Sequence, residues 1–349
     1  PCCDPLGAVT AFPDASAYHT GVKAVSSAAW LFAKEAAGSD ALAVSGDETA
    51  LRDLRFQLDY QLVLGITYFN IHGLCYSTVG NRKDEAPPSL FLQHSEWPLM
   101  SELLRELKAR CARLSAGKPV WNTAVLYPVA EFNVSDDPHR VELEKSMHAL
   151  SEKLLSRQID FLLIDEITFA ERMAADPEPF VREFPYFMMP PGLKVFDPAT
   201  VPALSRYQAA GGCLATEPEE SMRAPLTGEG AENIFITRRQ LPDGRIDSFL
   251  FNRSSFSFHG HLDGKAVYVP ASGGAFADDP VPREAVETVA SPGLWNVRFD
   301  DNTTPLTLFN TDDHRVVCLK RRESVPSGGT FSFLASGEFK KLQLHLDPE

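Results

Sequence analysis

The chain has 349 residues, of which 44% are hydrophobic and 23% charged, and its net charge at pH 7 is −14. This length predicts two or three domains, each large enough to bury its own core. The acidic balance argues against a nucleic-acid backbone or an anionic membrane surface as partner, because phosphate binding needs a basic surface. No apolar run approaches the roughly 20 residues needed to cross a bilayer. No leader is visible, so a cytoplasmic, periplasmic or secreted location stays open.

The cysteines argue against a metal site. Six of them are scattered along the chain without CxxC spacing, and the adjacent pair Cys2-Cys3 is a poor zinc pattern. No EF-hand-like spacing for calcium is present. The residues themselves therefore predict neither a cofactor nor a metal.

The first predicted region, residues 1–118, alternates helices with short apolar runs. Helices are predicted over 16–37, 47–64 and about 97–115, and an apolar run at 41–44 follows Ser39-Asp40. The segment Gly65–Ser77 begins as a buried strand and ends in polar side chains. A helix that leads into such a strand is typical of a β/α barrel, whose chemistry lies at the carboxyl ends of its strands. The region therefore predicts part of a (β/α)8 barrel, formed by its late strands.

The second predicted region, residues 119–218, contains continuous apolar strands separated by helices. The strands are predicted at 120–126, 161–164, 186–189 and 213–215, and the helices at 138–157 and 199–209. This alternation indicates a parallel sheet covered on both faces, which is a small doubly wound domain. It has neither a glycine-rich phosphate loop nor a Gly-x-Cys-x-Gly nucleophile turn, so amidotransferase activity is not expected.

The third predicted region, residues 219–349, consists of short strands and turns. The turn Pro242-Asp243-Gly244 separates apolar runs at 234–237 and 248–251, which predicts a hairpin. Further short runs recur to the end of the chain without a convincing helical period. A β-sandwich is the expected fold of this region.

Several of these segments together resemble a known family. Gly65–Ser77, Gly80–Asp84, Pro87-Pro88-Ser89 and Trp97 resemble the late-barrel segment of large bacterial glycoside hydrolases, especially the α-L-rhamnosidases of glycoside hydrolase family 106. The hinge and the start of the third region are similar too, at Val125–Pro128, Arg238-Arg239, Asp243-Gly244 and Phe249–Asn252.

The resemblance implies a fold, an activity and a partner. It implies a barrel, then a flavodoxin-like domain shaped like a class I glutamine amidotransferase but without its chemistry, and then β-sandwich modules. It also implies that the chain is the carboxyl-terminal part of a longer protein, whose N-terminal remainder completes the barrel. Calcium is a possible cofactor on the resemblance alone, and the implied substrate is a plant or microbial oligo- or polysaccharide.

Asp40 is the candidate catalytic acid. Relatives tend to have Ser-Glu followed by glycines about 20 residues before the aspartate matching Asp59, where this chain has Ser39-Asp40 and keeps Gly46. An aspartate is one methylene shorter, so its carboxyl group would lie about 1 Å or more back from a glycosidic oxygen. Hydrolysis needs a second carboxyl group across the scissile bond, which is expected from the upstream barrel strands. The alternative for Asp40 is a loop or capping aspartate.

Seven residues are candidates for binding substrate, and each has a structural alternative. His72 and Asn70 lie where the predicted strand turns polar, and His72 could instead be a satisfied structural histidine. Aromatic rings can pack on the apolar face of a pyranose, although core packing is the stronger alternative for Trp97. Charged loop residues can bind sugar hydroxyls or a uronate, or simply form solvated ion pairs. The set is Asn70, His72, Tyr76, Arg82, Lys83, Trp97 and, across the predicted domain junction, Glu131.

Three functional hypotheses follow. The first is a glycoside hydrolase resembling α-L-rhamnosidases, which uses carboxylate acid/base chemistry. The second is a non-catalytic carbohydrate-binding or structural fragment of such an enzyme. The third is a β-galactosidase-like glycosidase, since relatives of that kind also join a barrel to an amidotransferase-like domain.

Overall fold

The chain mixes helices and sheets, and it divides into two compact units, Pro1–Val281 and Pro282–Glu349. The computed structural model describes residues 2–3, 16–43, 49–73, 94 and 96–280, with side chains from 19 to 280, together with four backbone strands between 304 and 346. The predicted boundaries at 118 and 218 remain predictions. Among the described helices, none combines the length and apolar character needed to cross a membrane.

A three-stranded parallel sheet opens the first unit, in the order β1-β2-β3. Helix α1 ends earlier than predicted because Ala33 adopts a left-handed backbone (φ 48°), and the Lys34 N–H bonds to the Ala29 carbonyl at 2.8 Å. The third helix has the predicted bounds. These elements are β1 (Cys2–Cys3), α1 (Ser16–Leu31), β2 (Gly38–Ala41), α2 (Leu51–Val63), β3 (Tyr68–Ile71) and α3 (Trp97–Ser115).

The second parallel sheet has four strands in the order β6-β5-β7-β8. Alternate residues along its strands face two different cores, so that Val125 and Leu163 join one cluster while Ala124 and Leu162 join another. Both faces are therefore covered, as its apolar strands predict. Its elements are β5 (Thr123–Tyr127), α4 (Val129–Val134), α5 (Asp137–Leu155), β6 (Phe161–Asp165), α6 (Glu166–Ala175), α7 (Pro177–Glu183), β7 (Tyr186–Met188), α8 (Thr200–Ala209) and β8 (Cys213–Ala215).

Two antiparallel sheets complete the first unit. The predicted turn at Asp243-Gly244 joins the two longest strands of the larger sheet, and Gly244 there has the positive φ (85°) that such a turn requires. The sheets have the orders β14-β11-β10-β4 and β13-β12-β9. Their strands are β4 (Lys118–Pro119), β9 (Leu226–Thr227), β10 (Ile234–Gln240), β11 (Ile246–Asn252), β12 (Phe258–Leu262), β13 (Lys265–Val269) and β14 (Gly273–Phe276).

The larger antiparallel sheet lies between a helical layer and the smaller sheet. On one face, Phe235, Phe249 and Phe251 join the main core with residues of α2 and α3. On the other face, Ile236 and Leu250 join a separate cluster with residues of the smaller sheet. Successive side chains along β10 and β11 point to opposite faces of the sheet, so the two strands contribute apolar residues to both cores.

A buried carboxylate ties the helical layer to this sheet. One Asp59 oxygen on α2 pairs with Arg110 on α3, and the other accepts the backbone N–H of Gly274 on β14 at 2.9 Å. Burial raises the pKa of Asp59, while Arg110 opposes that shift. The layers are therefore held together by a charged contact as well as by apolar packing.

The second unit is described as backbone strands only. They form two antiparallel pairs, β15 with β16 and β17 with β18, which cover the apolar runs predicted at 306–309, 316–319, 330–334 and 341–346. A further predicted run at 295–299 lies outside the described residues. The strands are β15 (Thr304–Asn310), β16 (Arg315–Lys320), β17 (Ser327–Ala335) and β18 (Glu338–Leu346).

Candidate functional site

The parallel pairing of β2 and β3 brings Asp40 and Asn70 side by side. The register sets Asp40 opposite Asn70, and the Asn70 side-chain amide donates a hydrogen bond to Asp40 Oδ1 at 3.0 Å. Both residues lie near the carboxyl ends of their strands. In a parallel β/α arrangement this is the end at which catalytic groups are found.

The two faces of this sheet differ in burial. Ser39 and Ala41 are fully buried, whereas Asp40 is half-buried between them and Asn70 is exposed. Tyr68, two residues before Asn70, is 63% exposed. The strand alternation therefore turns a polar and aromatic face outward, and Asp40 lies on that face.

His72 continues the same side of β3 past the end of the strand. Its backbone N–H donates to the Ala41 carbonyl at 2.9 Å, which extends the pairing with the β2 segment, and its side chain is half-buried. Among the residues with described side chains, none forms a hydrogen bond with its ring. Its position two residues after Asn70 on the same side of β3 makes His72 a candidate contact for a ligand at Asp40 and Asn70.

Four of the five remaining predicted binding residues divide into two groups. Trp97 begins α3 and packs, partly buried, against the main core. Tyr76, Arg82 and Lys83 lie outside the described residues. The sugar-binding roles of all four remain predictions.

Glu131 lies on α4, just past the carboxyl end of β5, and is 1% exposed. One carboxylate oxygen contacts His139 Nε2 at 2.8 Å, and the other accepts the backbone N–H of Lys194 at 2.9 Å. Burial by itself would raise the pKa of Glu131, but these hydrogen bonds outweigh it and lower the pKa. Its oxygens are occupied within the protein, which favours a loop-anchoring role over its still untested role in binding sugar.

A second buried carboxylate acts at the same sheet edge. Glu166, at the start of α6, accepts the backbone N–H groups of Ala130 at 2.7 Å and Asp197 at 2.9 Å. Together with Glu131 it holds the segment around 194–197 against the strand ends. Both carboxylates therefore shape this edge of the sheet.

A hydrogen-bonded brace joins the amino ends of α2 and α3, and it has no counterpart in the sequence prediction. His94 Nε2 contacts the Thr49 carbonyl at 2.9 Å, and the Glu96 carboxylate accepts the Leu51 N–H at 2.6 Å. Leu51 is the first residue of α2, so the Glu96 charge also complements the positive end of that helix dipole. The brace fixes the amino ends of α2 and α3 at the carboxyl-end side of β2 and β3. The sequence signal for this brace is Glu96, a glutamate directly before the first residue of α3.

The described part of the chain contains no cluster of three or more histidine, cysteine, aspartate or glutamate side chains placed to hold a metal. The candidate site consists of the accessible Asp40 carboxylate, the Asn70 amide that donates to it, and the nearby His72 imidazole. Such a set can bind hydroxyl groups and can exchange a proton with a bound ligand.

Comparison with known proteins relates the chain to glycosidases by fold. No family model and no curated protein sequence matches the chain. A rhamnosidase from Novosphingobium sp. PP1Y matches 95% of the chain with a TM-score of 0.58 and 12% identity. A catalytic mutant of a GH42 β-galactosidase from G. stearothermophilus matches 72% (TM-score 0.37, 12% identity), and α-L-fucosidase isoenzyme 2 from Paenibacillus thiaminolyticus matches 73% (TM-score 0.35, 16% identity).

The rhamnosidase match extends over nearly the whole chain but only part of the rhamnosidase. The chain spans 41% of that enzyme, and 44% and 36% of the β-galactosidase and the fucosidase. At 12% identity the likeness establishes a glycosidase-like fold and nothing finer. Asp40, Asn70 and His72 therefore lie in a fold that is similar to that of the rhamnosidase.

Proposed function

We propose that this protein is part of a glycoside hydrolase that acts on α-L-rhamnosyl units of an oligo- or polysaccharide. The observation that carries the proposal is the Asp40–Asn70 pair at the carboxyl ends of two adjacent parallel strands, within a fold that resembles a rhamnosidase. A half-buried carboxylate on the outward face of such a sheet is accessible to a sugar. Apolar faces of the same strands anchor it rigidly from behind.

Asp40 is the proposed catalytic carboxyl group of this chain, with proton donation to the leaving oxygen as its role. Asn70 orients it through the 3.0 Å hydrogen bond. In this proposal the bound substrate excludes water from around the carboxyl group, which strengthens its electrostatic interactions with the reacting atoms. His72 would bind a neighbouring sugar hydroxyl, and Trp97 would contribute an aromatic contact.

Tyr76, Arg82 and Lys83, which the sequence predicts to lie in a loop, would complete the proposed sugar cleft. Glu131 would act on this cleft only through the segment around 194–197 that it holds. Glycoside hydrolysis requires a second carboxyl group across the scissile bond. In this proposal it comes from the N-terminal remainder of a longer parent chain, the partner that would complete a (β/α)8 barrel. The flavodoxin-like domain and the β-sandwich then follow that barrel, as in the family 106 enzymes that the sequence resembles.

The test measures release of nitrophenol from 4-nitrophenyl α-L-rhamnoside by the full-length protein. Asp40→Asn should lower kcat at least about 100-fold, the range for loss of a general acid. Asp243→Asn is the matched control, because Asp243 is exposed in the turn between β10 and β11 and belongs to no proposed site. No turnover of any aryl glycoside, or an Asp40→Asn variant as active as the control, would contradict the proposal.

The partly accessible site also suits a binding protein, because the structure shows a single carboxylate on this face of the described strands. In that case, glycan binding would be observed without hydrolysis and would be unchanged by Asp40→Asn. A β-galactosidase-like enzyme would instead release nitrophenol from the β-D-galactoside. Assaying both substrates side by side separates these alternatives.

A further inference from the structure

A pocket of about 370 Å³ lies at the opposite end of the β2–β3 sheet from Asp40. We call it the Arg239 pocket, and its lining includes Trp30, Lys34, Lys118, Trp121, Glu183 and Arg239. Ala37 and Thr67, which also line it, come directly before β2 and β3. The pocket is therefore at the amino ends of these strands. Its volume falls within the range of about 300–1,000 Å³ that is typical of small-ligand sites.

Arg239 has no acceptor for its guanidinium among the described residues. It lies on β10 opposite Pro119 of β4. The preceding residue, Arg238, faces the other way and pairs with Asp263. Burial lowers the pKa of Arg239 and the nearby Asp160 carboxylate opposes that shift, but a guanidinium stays charged in proteins. A charged, partly desolvated group with five donors favours an anionic partner.

The other charges of the pocket define how much negative charge it suits. Lys34, Lys118 and Arg239 are positive, and Glu35 and Glu183 are negative, so one net positive charge remains. No ion pair joins any of these five groups in the described part of the chain. A single carboxylate matches this balance, whereas a phosphate would bring about −1.5 to −2 charges.

The uncharged lining indicates what carries the carboxylate. The partly exposed Trp30 and Pro119, with the mostly buried Trp121 beside Trp30, provide an apolar wall. The apolar face of a pyranose can pack on such a wall. Glu35 and Glu183 can accept hydrogen bonds from sugar hydroxyl groups. Apolar wall, hydroxyl acceptors and one unbalanced guanidinium together match a hexuronate ring.

We propose that the Arg239 pocket binds an acidic sugar residue, with its carboxylate at Arg239 and its ring against the tryptophan wall. This site lies away from Asp40 and would hold a uronate-containing chain while the candidate active site acts elsewhere on it. The choice of a sugar as ligand rests on the proposed function. The choice of a monoanion rests on the pocket alone.

Binding is measured by isothermal titration calorimetry with the full chain and D-glucuronate. D-Glucose serves as the same ring without the carboxylate, and acetate as the carboxylate without the ring. Arg239→Gln should weaken glucuronate binding at least about ten-fold, since it removes a charge-assisted contact. Lys34→Gln, at an exposed position, should weaken it about two- to five-fold. Arg206→Gln on α8 is the matched exposed control and should have no effect.

Each other outcome overturns a defined part of the proposal. Absent glucuronate binding, or equal binding by glucose, overturns the anionic site. Acetate binding as tight as glucuronate overturns the sugar. If Arg239→Gln does not fold by near-ultraviolet circular dichroism, unchanged binding by Lys34→Gln overturns the pocket. Asp40→Asn should bind glucuronate normally, so loss of hydrolysis and loss of binding are distinguishable.

Discussion

Lys23 is the most deeply buried cation among the described residues, and its removal tests the reasoning on packing. It lies on α1 with 0% exposure, and its Nζ is 2.7 Å from Asp160 Oδ1 and 4.6 Å from the centroid of the Trp121 ring. The variant Lys23→Met keeps an unbranched apolar stem and removes the ammonium group. Asp160 then becomes a buried carboxylate that has lost its ion-pair partner and keeps only the nearby charge of Arg239.

The expected loss of stability depends on the hydrogen bonds that Asp160 retains in the variant. Removing one partner of a buried ion pair costs about 3–5 kcal/mol. Asp160 still accepts hydrogen bonds from Trp121 Nε1 at 2.8 Å, Thr237 Oγ1 at 2.9 Å and its neighbouring Phe161 N–H at 2.9 Å. These donors stabilise the remaining carboxylate, so we expect the lower part of that range, about 3 kcal/mol.

The assay is urea unfolding followed by tryptophan fluorescence, which reports on Trp121 beside the pair. Lys23→Met combined with Asp160→Asn should be less destabilised than Lys23→Met alone, because the amide carries no uncompensated charge. Lys145→Met is the control: Lys145 forms an exposed pair with Glu142 and should change stability by less than about 0.5 kcal/mol. A Lys23→Met variant as stable as this control would refute the reasoning.

Three further predictions follow from buried contacts. The pKa of Glu131 is lowered in the folded protein, so the unfolded chain binds more protons and the free energy of unfolding should fall as pH drops below the ordinary value of 4.5. Urea unfolding at several pH values should show a smaller loss of stability for Glu131→Gln than for the parent, and an equal loss would contradict this. Phe169→Ala should lower the free energy of unfolding by about 3–5 kcal/mol, because the ring is fully buried and its centroid lies 4.3 Å from that of the Phe187 ring, on which it stacks. A thermal unfolding midpoint equal to that of the parent would refute this. Gly117→Ala should destabilise clearly in the same scan, because Gly117 has φ 75° and a Cβ there would lie 2.2 Å from the Gln240 carbonyl oxygen; an unchanged midpoint would show that the backbone can shift.

Local sequence signals set several elements accurately. Helix α3 has the predicted bounds, Trp97–Ser115, because its apolar side chains recur at helical spacing on one face. Helix α5 begins at Asp137, one residue before its predicted start at 138, and Asp136 directly before it accepts the His139 N–H at 3.0 Å. The hairpin turn at Gly244 was equally local, since only a few residue types adopt its backbone.

Other features differ from what their local sequence suggests. Asp165 lies at a strand end, where open parallel sheets often bind ligands, but it caps α6 by accepting the Thr168 N–H at 2.9 Å. Strand β2 covers Gly38–Ala41, whereas the apolar run suggested 41–44. Pairing with β3 selected the earlier segment, because backbone hydrogen bonds with a neighbouring strand outweigh the composition of four residues.

The sequence alone determined the amphipathic helices, the apolar strands, the capping aspartates and the turn glycines, because each depends on residues close together in the chain. Only the tertiary structure decided which polar groups meet. Asp40 and Asn70 become partners through strand register, and Lys23 and Asp160 through helix-on-sheet packing. The Arg239 pocket likewise gathers its charges from separate segments. The sequence gives the chemistry of each side chain, but the packing of the layers decides which distant side chains come into contact.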